Sequence, residues 1–221
     1  MMLSKLLQQV SSSFELDDLL SLNVDGLVCA WVAALSGRAV NNAQSAEANE
    51  ADLAILRAPS RNFNIPDLNS AEYRSLALKL AKTLENTDGG VGLAAPQVGI
   101  NRRVVAVQRV DKEGEPVEVY ANIFIEEVRG NLEAGPEGCL SVPDQRCDVM
   151  RYQDITIRYT DINSDRLDQP REIREDVSGF AAVIFQHEVD HLEGVLFIDK
   201  NLANLTLLDS QMLLILKNIS H

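Results

Sequence analysis

Gln186-His187-Glu188-Val189-Asp190-His191 decides how this chain is read. Phe180-Ala181-Ala182-Val183-Ile184-Phe185 precedes it, and residues 180–191 together have the apolar face of a buried helix. Helical residues four apart lie on one face, one turn from each other. His187 and His191 can then hold one metal ion together. Glu188 projects beside that ion, where a carboxylate can take a proton from a bound water. The chain has three histidines, and two of them are here. A third ligand must come from elsewhere, and its identity decides the chemistry.

Downstream residues do not supply it. One class of zinc protease continues after the second His with two residues, Gly, two residues and a third His. Here His191 is followed by Leu192-Glu193-Gly194-Val195-Leu196-Phe197. Gly194 is in place, but Phe197 stands where the ligand is needed, and a phenyl ring cannot ligate. Another class uses a downstream carboxylate. Glu193 lies only two residues past His191 and would point away from the metal, while Asp199 and Asp209 are poor substitutes. Upstream, Cys139 in Gly135-Pro136-Glu137-Gly138-Cys139-Leu140-Ser141 is the candidate. Taken alone it could be a buried structural cysteine. Beside two histidines it completes a His2Cys set that leaves a fourth tetrahedral position open for water. Thiolate donation suits Fe(II), Co(II), Ni(II) or Zn(II).

Outward from this helix the chain reads as α+β. Asn69-Ser70-Ala71-Glu72 is a helix start, and Tyr73, Leu76, Ala77, Leu80, Ala81 and Leu84 follow at helical period. Asp88-Gly89-Gly90 is the expected stop. Gly90-Val91-Gly92-Leu93-Ala94-Ala95-Pro96-Gln97 lacks the Lys-Ser/Thr of a phosphate loop, and Pro96 opposes a helix start there. It reads as a loop where small residues let backbone approach a ligand, with Gln97 as an aimed amide. Valine-rich residues 103–110, a turn at Asp111-Lys112-Glu113-Gly114 and residues 117–128 predict an antiparallel hairpin, interrupted at 135–141. Ile155, Ile157 and Tyr159 alternate as a half-buried strand, and Asn163-Ser164-Asp165 turns it back. Before all this, Leu16, Leu20, Val24, Leu27, Trp31 and Leu35 recur at helical spacing, followed by a polar linker over 41–52. That helix either lies over the protein's own core or docks a partner or a second copy of the chain. Residues 202–219 predict a weakly amphipathic tail helix. Three segments result: an N-terminal helical extension and linker over 1–52, a catalytic domain over 53–200 and a tail over 201–221.

Composition excludes several classes. A net charge of −13 over 221 residues argues against non-specific nucleic-acid binding, which needs clustered Lys and Arg. No apolar run reaches the roughly 20 residues of a membrane span. Lys5 alone is too little for the basic start of a signal peptide. Three cysteines, Cys29, Cys139 and Cys147, make no disulfide framework, so reduced thiols and a cytoplasmic address are expected.

The segments 90–97, Glu137-Gly138-Cys139-Leu140-Ser141 and 186–191, in that order, resemble the three signature motifs of peptide deformylases. Val142-Pro143-Asp144-Gln145-Arg146 and 192–197 extend the resemblance, which covers roughly residues 53–200. It implies antiparallel sheets wrapped around a central HExxH helix, and hydrolysis of the N-formyl group from the initiator methionine of nascent proteins. It implies Fe(II) as the metal, often replaced by Zn(II), Ni(II) or Co(II). Cys139, His187 and His191 would be its ligands, and Glu188 would carry the proton from water to the leaving amine. The Gln97 amide and the Leu140 backbone N–H match the family's oxyanion donors. Backbone around Val91, Gly92 and Gly138 would hold the peptide extended. Phe180, Ile184 and Arg146 are the expected pocket wall around the methionine side chain. Glu137 and Gln186 are expected to support the ligands, and Asp190 to steer a neighbouring charge without touching the metal.

Residues 1–50 are additional to the usual chain of that family. Family members that dock on ribosomes use a basic C-terminal helix. Residues 201–221 carry Lys217 and Asp209 and little other charge, which argues against docking through phosphate contacts. A metallopeptidase and a silent metal- or peptide-binding paralogue are the competing readings. The missing third protease ligand speaks against the first, and intact Glu188 and Gln97 against the second.

Overall fold

The computed structural model describes residues 53–161 and 171–202. The expected N-terminal helix, the linker up to residue 52, the turn at 163–165 and the tail beyond Leu202 lie outside them. Among the described residues five strands form one antiparallel sheet in the order β1-β2-β3-β4-β5. These are β1 (Gly92–Ala94), β2 (Val104–Gln108), β3 (Val117–Cys139), β4 (Val142–Asp161) and β5 (Arg171–Ser178). Two helices of more than ten residues, α1 (Ala71–Glu85) and α2 (Gly179–Leu192), pack against it among the described residues. The α+β class is as expected, with a single sheet rather than several among the described residues. α2 touches all five strands.

β2 explains why both helices are needed. Val104, Val105, Ala106 and Val107 are all 0% exposed, although strand side chains alternate between faces. Val104 and Ala106 join Tyr73, Leu76, Leu80 and Leu84 of α1. Val105 and Val107 join Ala181, Ala182, Ile184, Phe185 and Val189 of α2. The sheet is therefore the middle of three layers at this point. Burying each such valine contributes about 1.5–3 kcal/mol.

α1 starts at Ser70, whose hydroxyl accepts from Tyr73 N–H at 3.1 Å. It ends at Glu85, before the expected glycine stop. Asn86 Nδ2 donates to the Lys82 carbonyl and Thr87 Oγ1 to the Thr83 carbonyl, at 2.8 and 2.6 Å, so side chains take over the last helical acceptors. The Pro96 region also differs from expectation. Ala95–Val98 is a 3-10 turn with the proline in its first turn. A missing N–H costs nothing there, because first-turn donors have no helical partner.

β3 is continuous through Gly135-Pro136-Glu137-Gly138-Cys139, the stretch expected to interrupt the hairpin. β2 flanks β3 only over 117–121. Beyond that, among the described residues, the far edge of β3 has no ladder partner and tolerates a proline. The sequence predicts that the chain turns back after the 155–159 strand but names no strand over Arg171–Ser178, where β5 lies. Its sequence, Arg171-Glu172-Ile173-Arg174-Glu175-Asp176-Val177-Ser178, shows little apolar alternation. It is an edge strand, held by its ladder to β4 and by ion pairs such as Arg158–Glu172 at 2.5 Å and Arg174–Glu126 at 2.6 Å. It runs straight into α2 through Gly179, whose φ of +63° makes the sharp strand-to-helix turn that an L side chain would resist.

Candidate active site

α2 carries three of the residues singled out in the sequence. Its side chains are apolar nearly all round, so it is buried, and its polar residues are buried with it. His191 is 1% exposed and Glu188 4%. The imidazoles of His187 and His191 lie one turn apart with ring centroids 5.1 Å from each other. The fourth residue arrives from the opposite side. β3 and β4 close on each other at Cys139↔Val142, which puts Cys139 at the tip of the hairpin. Its Sγ lies 3.2 Å from His191 Nε2.

Donor atoms of Cys139, His187 and His191 all fall within 4.8 Å of one another. Ligands bonded to one tetrahedral ion at about 2.0–2.3 Å stand about 3.5 Å apart, so the three can close on a single ion with small side-chain adjustments. The hydrogen bonding agrees with that use. His187 Nδ1 faces Glu137 Oε2 at 2.8 Å and donates to it, which leaves Nε2 as the lone-pair nitrogen. Glu137 is in turn held by Arg151, at 2.7 and 2.9 Å. Burial works against ionising Glu137, but Arg151 and His187 outweigh it and bring its pKa down to about 2. It is therefore a fixed anion behind His187. Burial alone would lower the His187 pKa, and the bonds to Cys139 and Glu137 raise it to about 10, so an ion held here would displace the proton from Nε2. Burial and the neighbouring His187 hold His191 well below its ordinary value. Phe197 stacks on His187, with centroids 6.1 Å apart and planes at 29°. The residue that cannot ligate thus walls one side of a ligand.

Glu188 Oε2 is buried and has no hydrogen-bond partner among the described residues. Burial raises this carboxyl to about 7, against the opposing effect of His187. An unpartnered buried carboxyl is costly unless something else meets it. Opposite it stands Gly92 of β1, which offers no side chain. Gln97 lies in the 3-10 turn that follows β1. Its Oε1 accepts from Ala94 N–H at 2.8 Å, so Nε2 is turned towards Ser141 Oγ at 3.0 Å and Cys139 Sγ at 3.6 Å. Leu140, half-buried, sits in the hairpin turn between those two partners.

The remaining expectations fall differently. The Val91 carbonyl accepts from Gln108 N–H at 2.9 Å and so is engaged in the sheet. Gly138 is exposed and faces exposed Arg146 across the hairpin. Phe180 is 59% exposed at the start of α2, and Ile184 is a core side chain at 3%. Gln186 binds the backbone of Tyr152 on both sides, accepting from its N–H at 3.1 Å and donating to its carbonyl at 2.7 Å, which anchors α2 to β4. Asp190 pairs with Arg151 at 2.6 Å and Lys200 at 2.7 Å. Arg151, Ser141 and the stacking of Phe197 were missed. No motif surrounds Arg151, and only its contacts reveal it.

Two imidazoles and a cysteine sulfur, with a buried glutamate on the ligand-bearing helix whose Oε2 has no partner among the described residues, are the arrangement of a metal-dependent hydrolase. The comparisons with known proteins narrow that class. The profile of the family described as polypeptide deformylase matches residues 47–206, and the chain belongs to that family. Peptide deformylase 1 of Vibrio vulnificus is 41% identical over 151 residues, covering 66% of this chain and 84% of the relative. Peptide deformylase 2 of Gloeobacter violaceus is 40% identical over 148 residues, covering 66% and 73%. Among solved structures, a class I type b peptide deformylase from Acinetobacter baumannii has a TM-score of 0.58 at 36% identity, covering 66% of this chain and 91% of that one. A peptide deformylase from Synechococcus elongatus in complex with actinonin has a TM-score of 0.57 at 37% identity, covering 66% and 75%.

Proposed function

We propose the following division of labour among the residues of this site. The chain is a metal-dependent hydrolase that removes the N-formyl group from the N-terminal formylmethionine of newly made proteins and releases formate. Cys139, His187 and His191 hold one divalent ion, Fe(II) in the cell. When bound, that ion supplies the Lewis acidity that makes water a nucleophile near neutral pH. Glu188 takes the proton as oxygen attacks the formyl carbon and delivers it to the departing amine. The Gln97 Nε2–H and the Leu140 N–H meet the negative charge that develops on the formyl oxygen. The observation that carries this reading is the buried Glu188, whose Oε2 has no hydrogen-bond partner among the described residues, beside three converging donors and opposite a residue that has no side chain.

The backbone of Gly92 and Gly138, with the Val91 N–H, guides the peptide as an added strand. Phe180, Ile184 and Arg146 border the methionine side chain. A structural neighbour from Acinetobacter baumannii was solved with Met-Ala-Ser bound, which supports a peptide as the ligand of this site. Residues 53–200 form the catalytic unit, 1–52 a helical extension able to pair with a second copy, and 201–221 a tail. With so little positive charge in that tail, the enzyme meets its substrate by diffusion in the cytoplasm or docks through its N-terminal segment, rather than through tail contacts to ribosomal phosphate. Among the described residues no helix is long and apolar enough to cross a membrane.

Formate release from an N-formyl-Met peptide tests this, run beside the N-acetyl peptide and casein on anaerobically purified protein of measured metal content. Turnover of the formyl peptide alone, with one iron per chain, is expected. Protein free of transition metal that still turns over the formyl peptide would overturn the assignment.

A further inference from the structure

The ligands of the centre arrive on two separate elements, and one buried cation ties those elements together. Arg151 lies on β4, in register with Glu133 of β3. Its side chain is 3% exposed. The Nε and Nη2 groups bond both oxygens of Glu137 at 2.7 and 2.9 Å, a fork that fits a carboxylate on two edges. Nη1 bonds Asp190 Oδ2 at 2.6 Å. Glu137 is two residues before Cys139 and also orients His187. Asp190 is the residue before His191, and its other oxygen takes Lys200 Nζ at 2.7 Å. One guanidinium therefore links the hairpin that carries Cys139 to the helix that carries both imidazoles.

We infer that Arg151 is a positioning residue that sets the separation of Cys139 from His187 and His191 and so governs how long the centre retains its metal. This rests on the ligand assignment proposed above. The physical ground is directional. A carboxylate with a single partner can rotate about its last bond, and an imidazole hydrogen-bonded to it rotates too. Glu137 has both oxygens fixed by Arg151, so His187 is aimed by a rigid anion. The third guanidinium contact then prevents the hairpin tip from sliding along α2. A lysine in place of Arg151 has one point charge and cannot form the fork.

Cobalt(II) substituted into the full chain gives the test, since thiolate–cobalt charge transfer reports the Cys139 bond independently of turnover. Its loss to a competing chelator gives the metal off-rate, and urea unfolding of the metal-free protein gives the scaffold's stability. Arg151→Met is expected to lose cobalt about 10–100-fold faster than the parent. Arg151→Lys should fall between the two. Asp190→Asn, which leaves the fork on Glu137 intact, should also release cobalt faster, even where metal-free stability is matched by adding osmolyte. If Arg151→Met does not fold, Asp190→Asn alone decides. Parental off-rates in the folded variants would overturn the inference, whatever their urea midpoints. A parent protein that shows no thiolate–cobalt band would instead overturn the ligand assignment, so the two failures are distinguishable.

Discussion

Gly92 of β1 stands directly against the carboxylate of Glu188 on α2. A Cβ added to Gly92 would lie 2.7 Å from both Glu188 Cδ and Cγ, closer than real side chains approach. Glu188 keeps its position because nothing projects from the neighbouring strand. Gly92→Ala is therefore expected to push the carboxylate aside without removing it. Displacing a reacting group by about 1 Å can cost about 100-fold in rate. A loss of that order in kcat/KM, with metal content unchanged, is expected from steady-state formate release. Parental kinetics would show that Glu188 has more room than its surroundings indicate.

Glu188→Gln keeps the shape of the side chain and removes its ability to accept a proton. Turnover should fall by about 10²–10⁴-fold. The metal should stay, because Cys139, His187 and His191 are untouched. Elemental analysis beside the activity assay separates these outcomes, and a variant that loses both metal and activity would point to a ligand role for Glu188.

Gln97 has its amide locked by Ala94 N–H and Ser141 Oγ, at 2.8 and 3.0 Å. A donor aimed in advance stabilises developing charge without reorganising. Gln97→Leu should lower kcat by about 10²–10³-fold, about 3–4 kcal/mol, and leave KM nearly unchanged. A change confined to KM would make Gln97 a ground-state binding group instead.

Acid stability should depend on the buried Arg109, whose guanidinium bonds Asp111 at 2.6 and 2.8 Å, Glu175 at 2.7 Å and Tyr120 Oη at 2.6 Å. The bond to Arg109 holds Asp111 below its ordinary value of 3.8. The unfolded chain then takes up a proton at this site before the folded chain does. Its stabilisation is present above about pH 4 and is lost as pH falls through the lower, folded value. Arg109→Met should cost about 1.5–3 kcal/mol near neutrality, because it removes charged hydrogen bonds to carboxylates that water still reaches in part. It should also flatten the acid limb of a plot of urea stability against pH. An unchanged acid limb would place the dependence elsewhere.

Much of the fold and site was legible because period and spacing are local properties. The apolar face of α2, the His187–His191 interval and the cap at Ser70 each follow from a few adjacent residues. β5 was not legible, because an edge strand is held by ladder bonds and charge pairs rather than by an apolar face, and Arg171–Ser178 shows no such face. The continuity of β3 through Pro136 was hidden for a related reason. Whether a proline breaks a strand depends on which edge lacks a neighbour, and residue order does not record that.

What the sequence determined by itself was the inventory: two imidazoles and a carboxylate on one helical turn, and a cysteine and an amide in motifs far upstream. Tertiary structure alone decided their relations. Folding of a 23-residue strand against a 20-residue one brought Cys139 to within 3.2 Å of His191. It set an empty Gly92 opposite Glu188, laid Phe197 on His187 and placed Arg151 between the hairpin and the helix. Distances across 50 residues of chain come from the packing of the sheet between its two helices, and no local pattern encodes them.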